Sequence, residues 1–91
     1  MRMSDDEIKD RLSKMGGWER DGDALTREFE FANFVGSVDF VNRITPLAEG
    51  MNHHPDLGIS WNKVTVTLST HSEGGLTEND FELASQIDGA A

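Results

Sequence analysis

The chain has 91 residues and a net charge of −9, from 17 acidic and 8 basic residues. Its length predicts one domain over residues 1–91, and its charge argues against nucleic acid or an anionic membrane as a partner. There is no cysteine, which excludes disulfides and cysteine zinc sites. No apolar run approaches the roughly 20 residues of a membrane span, and no signal-peptide core is present, so we expect a cytoplasmic protein.

The basic residues include few lysines, namely Lys9, Lys14 and Lys63. An acidic, lysine-poor surface suits a salt-rich cytoplasm, because dissolved ions screen the repulsion between its carboxylates. Ordinary variation in acidity is the alternative. The sequence favours the salt-adapted interpretation.

The first predicted element is a helix with a capping box at its start. Ser4 is the expected N-cap and Glu7 follows three residues later. The helix should run to about Lys14 and end at two glycines. Its apolar face is predicted to contain Ile8, Leu12 and Met15.

A hairpin is predicted next, with strands at residues 18–20 and 24–31 joined by Asp21-Gly22-Asp23. Asp-Gly is a favoured pair in tight hairpin turns. Arg27 interrupts the apolar side of the second strand, so we expect it near a sheet edge or with its charged end reaching out to water.

A second helix should begin at Asn33 as N-cap. Proline removes one hydrogen bond and clashes with the preceding turn, so we expect a kink between Arg43 and Pro46. The helix should then resume through Glu49 and deliver a histidine pair at its end. The predicted apolar stripe consists of Phe34, Val38, Val41, Ala48 and Met51.

The second half of the chain predicts another hairpin, with strands at residues 57–61 and 63–70 and a turn at Trp61-Asn62. If the second strand continues, His71 lies on its polar face. A last helix should begin at Thr77 as N-cap with Asp80 at the third helical position.

The element order is therefore α-β-β-α-β-β-α. Two hairpins and three helices predict an α+β domain, a four-stranded antiparallel sheet with helices packed on one face.

All three histidines, His53, His54 and His71, surround this second hairpin. Histidine exchanges protons near neutral pH because its unperturbed pKa is about 6.5. Three imidazoles with Glu49 nearby indicate either acid–base catalysis or a zinc site. Adjacent histidines in an extended segment point to opposite faces, which makes the pair awkward for one metal ion.

These residues together resemble the pterin-4a-carbinolamine dehydratase family, strongly over the second half of the chain. The matching segments are Glu49-Gly50-Met51-Asn52-His53-His54-Pro55, Trp61-Asn62-Lys63-Val64, Leu68-Ser69-Thr70-His71, Gly75-Leu76-Thr77 and Asp80. The resemblance implies the same fold, a dimer with sheets paired edge to edge, and often a tetramer. It also implies dehydration of 4a-hydroxytetrahydropterin to quinonoid dihydropterin, which recycles the cofactor of aromatic amino acid hydroxylases. Pterin is then the substrate, and neither a cofactor nor a metal is implied.

By the same resemblance, His53 and His71 form the acid–base pair. His54 mainly positions the substrate while sharing in the proton transfer. Glu49 orients a histidine or binds the pterin, and Asp80 orders the site around His71.

Three further residues are implied to contact or border the pterin. Trp61 supplies an aromatic side chain near the pocket, and Thr70 and the backbone around Ser69 hydrogen-bond the pterin edge. Leu57 departs from the family, in which many members have an aromatic residue at this position, and this change is expected to reshape the mouth of the pocket.

Simpler interpretations stay open for single residues. Glu49 and Asp80 are each typical of solvated helix carboxylates, and Asp80 also suits a helix start. Trp61 suits the core of a hairpin equally well. For the whole chain, the alternative to an enzyme is a non-catalytic dimerisation or assembly cofactor of the same fold.

Overall fold

A computed structural model describes all residues, 1–91, and confirms the predicted element order. The helices are α1 (Asp5–Ser13), α2 (Phe34–Met51) and α3 (Glu78–Ala90), and the strands are β1 (Glu19–Asp21), β2 (Ala24–Glu30), β3 (Asp56–Ser60) and β4 (Lys63–Leu68). None of the helices combines the length and the apolar character that a membrane crossing requires.

The four strands form one antiparallel sheet in the order β1-β2-β4-β3. The two hairpins therefore meet through β2 and β4, which leaves β1 and β3 as the edges. Leu25 of β2 lies opposite Leu68 of β4, and Phe29 lies opposite Val64. This register brings the apolar residues of both central strands to the same face.

The core lies between that face and the helices, because apolar and polar side chains alternate along both central strands. Its fully buried members include Leu25, Val64, Val66 and Leu68 from the sheet, and the helices contribute Ile8, Phe40, Ile44, Phe81, Leu83, Ala84 and Ile87. The intervening strand residues are polar, so the other face of the sheet is left to water.

The first third of the chain follows its local signals closely. The hydroxyl of Ser4 accepts a hydrogen bond from the Glu7 backbone N–H, and the Glu7 carboxylate accepts one from the Ser4 N–H. Asp21 pairs with Ala24, so the turn is two residues long and Gly22 adopts a positive φ of 59°. Glycine permits this conformation without steric cost.

Arg27 lies on an interior strand, not at an edge, and reaches outward as expected of a long charged side chain. Its guanidinium lies 4.6 Å from the ring centre of Phe29 and 2.9 Å from Oδ1 of Asp88. The indole N–H of Trp18 donates to the same carboxylate at 2.9 Å. Asp88 thus ties the end of α3 to the first hairpin.

Two features of α2 differ from expectation or extend it. The helix runs through Pro46 without stopping and resuming, with Ile44 and Ala48 packed in the core on either side of the proline, while the bend expected there stays a prediction. The predicted stripe also misplaced Phe34, which is 54% exposed, whereas Ser37 is fully buried. Ser37 is satisfied there because its hydroxyl donates to the Trp61 carbonyl at 2.7 Å, a contact that hydrophobic periodicity does not register.

The strand predicted to continue to residue 70 ends at Leu68. Thr70 leaves the sheet ladder and forms an isolated bridge with Gly75. Between them the chain makes a short 3₁₀ turn over His71–Glu73. His71 therefore lies in a turn. The expectation that it would lie on the polar face of a continued strand was wrong.

Candidate active site

The end of α2 delivers His53 to the site. Asn52 adopts the left-handed conformation, with φ of 49°, and stops the helix. Asparagine tolerates this conformation better than most residues. The His53 backbone N–H then donates to the Ala48 carbonyl at 3.0 Å, and the chain turns so that the His53 ring lies against the start of α3.

Asp80 is the partner of His53. Its Oδ1 lies 2.6 Å from Nε2 of His53, and its side chain is fully buried. Its Oδ2 accepts hydrogen bonds from the Thr70 hydroxyl at 2.8 Å and from the Thr77 backbone N–H at 2.9 Å. A buried carboxylate is tolerated when donors satisfy it in this way. The carboxylate thus contacts His53 and not His71, around which it was expected to order the site.

His71 is connected to the same carboxylate through the chain. It follows Thr70, whose hydroxyl is bound to Asp80, and its side chain is exposed at the start of the 3₁₀ turn. The turn is closed by Gly74, which has a positive φ of 72° and donates its N–H to the His71 carbonyl. Asp80 therefore binds one histidine directly and anchors the residue before the other.

His54 and Glu49 form a separate pair on the surface. Nε2 of His54 contacts Oε2 of Glu49, with the two side chains 58% and 66% exposed. Ion pairs this exposed contribute little to stability. The pair is placed by helix geometry, because Glu49 lies in the last turn of α2 and His54 follows just after the helix end.

Two cavities adjoin these groups. One, of about 170 Å³, is lined by Ile44, Thr45, Ala48, Glu49, His54, Pro55 and Leu57. The other, of about 400 Å³, is mostly polar and is lined by Met1, Thr70, Ser72, Glu73, Thr77, Glu78 and Asn79. Leu57, the residue that departs from the family pattern, thus lies at the wall of the cavity that contains the Glu49–His54 pair.

Trp61 lies apart from this group, and the side chain of Ser69 is bound to the first hairpin. Trp61 is at the β3–β4 turn, 66% exposed, while His71 follows the opposite end of β4; a six-residue strand separates them by roughly 20 Å. The Ser69 hydroxyl donates to the Asp23 carbonyl at 2.8 Å and fastens the first hairpin. Within one chain, Trp61 does not join the His53–Asp80 group. Ser69 directly precedes Thr70, which is bound to Asp80, and the expected contact of its backbone with the pterin stays a prediction. No three histidine or carboxylate side chains converge as metal ligands.

Thr77 is the residue that sequence reasoning left out of the site. Its hydroxyl lies 2.8 Å from the Thr70 hydroxyl, and its backbone N–H binds Asp80. The signal for it is the Thr77–Asp80 capping box, which predicts a helix start. A capping carboxylate that also reaches a histidine belongs to both the helix and the site.

Comparison with known proteins assigns a family to this arrangement. A family model described as pterin 4 alpha carbinolamine dehydratase matches residues 1–90. The chain belongs to this family.

Curated relatives of the pterin 4 alpha carbinolamine dehydratase family match almost end to end. A protein of Sulfolobus acidocaldarius is 51% identical over 87 residues, with 96% of each chain covered. One of Thermosynechococcus vestitus is 48% identical over 90 residues, covering 99% of this chain and 95% of the relative. Both are provisionally named pterin-4-alpha-carbinolamine dehydratase.

Solved structures with the family's fold agree. A Brucella melitensis protein described as a transcriptional coactivator/pterin dehydratase superposes with a TM-score of 0.95 at 34% identity, over 100% of this chain and 99% of that one. A pterin dehydratase-like protein, described as a RuBisCO assembly factor in the alpha-carboxysome, superposes with a TM-score of 0.70 at 23% identity. The match covers 82% of this chain and 89% of that one. The second shares the fold alone.

Proposed function

We propose that this protein is a dehydratase that converts 4a-hydroxytetrahydropterin to quinonoid dihydropterin and water. The proposal is supported by membership in the pterin carbinolamine dehydratase family and by the names of relatives that are about half identical. In a cell, this reaction returns an oxidised pterin to the pool that aromatic amino acid hydroxylases use. Pterin is the substrate, and the reaction needs no resident cofactor.

The reaction requires one acid and one base. The 4a-hydroxyl leaves as water once it is protonated, and the bond between the 4a carbon and oxygen breaks. A proton departs from the adjacent ring nitrogen, and its electron pair forms the new carbon–nitrogen double bond. No electrons leave the molecule, so an imidazolium and a neutral imidazole supply what is needed.

His53 and His71 are the proposed acid–base pair. The observation that carries this assignment is Asp80, which binds His53 through Oδ1 and Thr70, the neighbour of His71, through Oδ2. A buried carboxylate of this kind holds a histidine ring in one orientation, which is what proton transfer to a bound substrate requires.

His54 and Glu49 are proposed to position the substrate and assist proton transfer. Their pair is exposed and borders the 170 Å³ cavity, whose wall includes Leu57. An exposed pair suits substrate binding better than a buried ring does, because substrate can reach it. Trp61 is assigned no contact with the pterin bound to its own chain, since it lies at the far end of β4.

The direct test is a stopped-flow assay of 4a-carbinolamine breakdown with the purified protein, before and after treatment with a chelator. We expect acceleration over the spontaneous reaction that survives chelation. Absence of acceleration would remove the dehydratase proposal. Loss of activity on chelation, with recovery on adding zinc, would replace the histidine acid–base mechanism with a metal-dependent one.

A non-catalytic binding role is the second candidate. It is favoured by the description of the Brucella melitensis relative, which pairs coactivator with dehydratase. The complete histidine set of this chain favours catalysis, because a scaffold has no use for an acid–base pair. The same assay separates the two, since a scaffold of this fold would leave the substrate's breakdown rate unchanged.

A further inference from the structure

Three hydrogen bonds converge on Asp80, and the chemistry of the donors determines their direction. The Thr77 backbone N–H can act only as a donor, so Oδ2 accepts from it at 2.9 Å. Thr70 has a single hydroxyl proton and lies 2.8 Å from both Oδ2 and the Thr77 hydroxyl. If that proton pointed at Thr77, the Thr70 hydroxyl oxygen and Oδ2 of Asp80 would face each other with lone pairs and no proton between them. The proton therefore points at Asp80.

The hydroxyl of Thr77 must then donate to that of Thr70, since the Thr70 proton is already used. This gives one chain of donors, from Thr77 to Thr70 to Oδ2 of Asp80. Two donors on Oδ2 stabilise the ionised carboxylate, so Oδ1 acts as an acceptor toward His53. All four residues are buried or half-buried, and water does not readily replace any member.

We infer that Thr70 and Thr77 are positioning residues that act through Asp80 and hold neutral His53 in the tautomer protonated at Nε2. The nitrogen left to exchange protons is then Nδ1. A contact between Thr70 and the pterin edge was expected, but the Thr70 hydroxyl instead binds Asp80, which in turn binds His53. The expected effect of these residues on kcat rests on the proposed dehydratase function, whereas the tautomer of His53 does not.

The first test measures the tautomer by long-range ¹H–¹⁵N correlation spectra of the imidazole rings, at a pH where all three histidines are neutral. The His53 signals are identified by their loss in His53→Gln. We expect Nε2 to carry the proton and Nδ1 to be bare in the wild-type protein. A His53 protonated at Nδ1 would overturn the inference without any threonine variant.

The second test uses isosteric changes. Thr70→Val should give a mixture of both tautomers and lower kcat by about tenfold, as expected for one hydrogen bond to a charged group, with KM changed by less than about twofold. Thr70→Ser should restore both measurements. Thr77→Val should shift the tautomer in the same direction but less, because the backbone N–H of residue 77 remains. Thr65→Val is the matched control, since Thr65 lies on the other face of the sheet and its hydroxyl makes no hydrogen bond.

The outcomes separate the two proposals. An unchanged tautomer in Thr70→Val would overturn the positioning role. A raised KM with unchanged kcat would also overturn it and would indicate direct substrate binding instead. If the wild-type protein proves inactive, the dehydratase proposal falls while the spectra still decide the tautomer. If Thr70→Val does not fold, the spectra of the wild-type protein and of Thr77→Val decide the tautomer and the positioning role.

Discussion

Nε2 of His53 lies 2.6 Å from Oδ1 of Asp80, and this contact joins the end of α2 to the first turn of α3. The two residues are 27 positions apart and the whole second hairpin lies between them. A helix-capping carboxylate thus also restrains a histidine ring that is only 11% exposed.

The first prediction concerns the division of labour among the histidines. His53→Ala and His71→Ala should each lower kcat by about 100-fold or more, the range for positioned acid–base groups. The double variant should lose less than the product of the two, because both serve one step. His54→Ala should instead raise KM more than either. Wild-type kinetics in His71→Ala would contradict its assignment.

The second prediction concerns association through β3. This edge strand has an unpaired side, and Leu57 and Ile59 are 40% and 43% exposed on the helix-facing side of the sheet. Unpaired edges pair readily with another chain. We expect a homodimer or homotetramer at micromolar concentration, measured by sedimentation velocity.

Ile59→Lys should weaken that association, although the added positive charge reduces repulsion between chains with a net charge of −9. The control is Thr65→Lys, which adds the same charge to interior strand β4. A fully active 10.1 kDa monomer would contradict the prediction.

The third prediction concerns salt. The chain has a radius of gyration of 12.8 Å, while the Debye length is about 10 Å at 0.1 M salt and about 3 Å at 1 M. Repulsion among its carboxylates therefore acts across much of the molecule at low salt and vanishes at high salt. We expect the thermal midpoint and the degree of association to rise between about 0.05 M and 1 M KCl.

A variant that removes three exposed, unpaired carboxylates provides the control: Glu19→Gln, Glu30→Gln and Asp39→Asn combined. It should show a smaller rise, which separates charge screening from the general salting-out effect. A midpoint that stays flat or falls with KCl in the wild-type protein would mean that the acidic surface is incidental.

The fourth prediction concerns the capping box of α1. A hydrogen bond from the Ser4 backbone N–H, followed by the contact with the Ser4 side chain, holds the pKa of the Glu7 carboxyl below its usual value. Because the folded-state pKa is lowered, Glu7 stabilises the fold fully above its unfolded-state pKa of about 4.3. That stabilisation is lost as the pH falls through the lowered pKa.

Glu7→Gln tests this, since glutamine keeps the capping contact and removes the charge. The variant should melt below the wild-type protein at neutral pH, and the difference should shrink as the pH falls through the folded-state pKa of Glu7. Lys9→Met is a suitable control for an exposed charge change on the same helix. An equal difference at every pH would mean that the ionised carboxylate adds nothing.

The sequence alone determined the element order, because its signals are local. Ser4 with Glu7, the Asp-Gly turn and the capping box of Thr77 with Asp80 each specify a helix start or a turn within four residues. Alternation of apolar and polar residues along the central strands is a local signal as well, and it specifies which face of the sheet is buried. The candidate histidines were also visible in the sequence, since the chain has only three and all of them lie around one hairpin.

Tertiary structure alone decided which of these residues meet. The partner of Asp80 is His53, because α3 packs beside the end of α2, and no local pattern encodes that contact. The buried position of Ser37 depends on the Trp61 carbonyl, 24 residues away, and the same turn carries the Trp61 side chain away from the histidines. Hydrogen bonds between distant segments depend on how elements pack, so hydrophobic periodicity predicts the elements but not the site that forms between them.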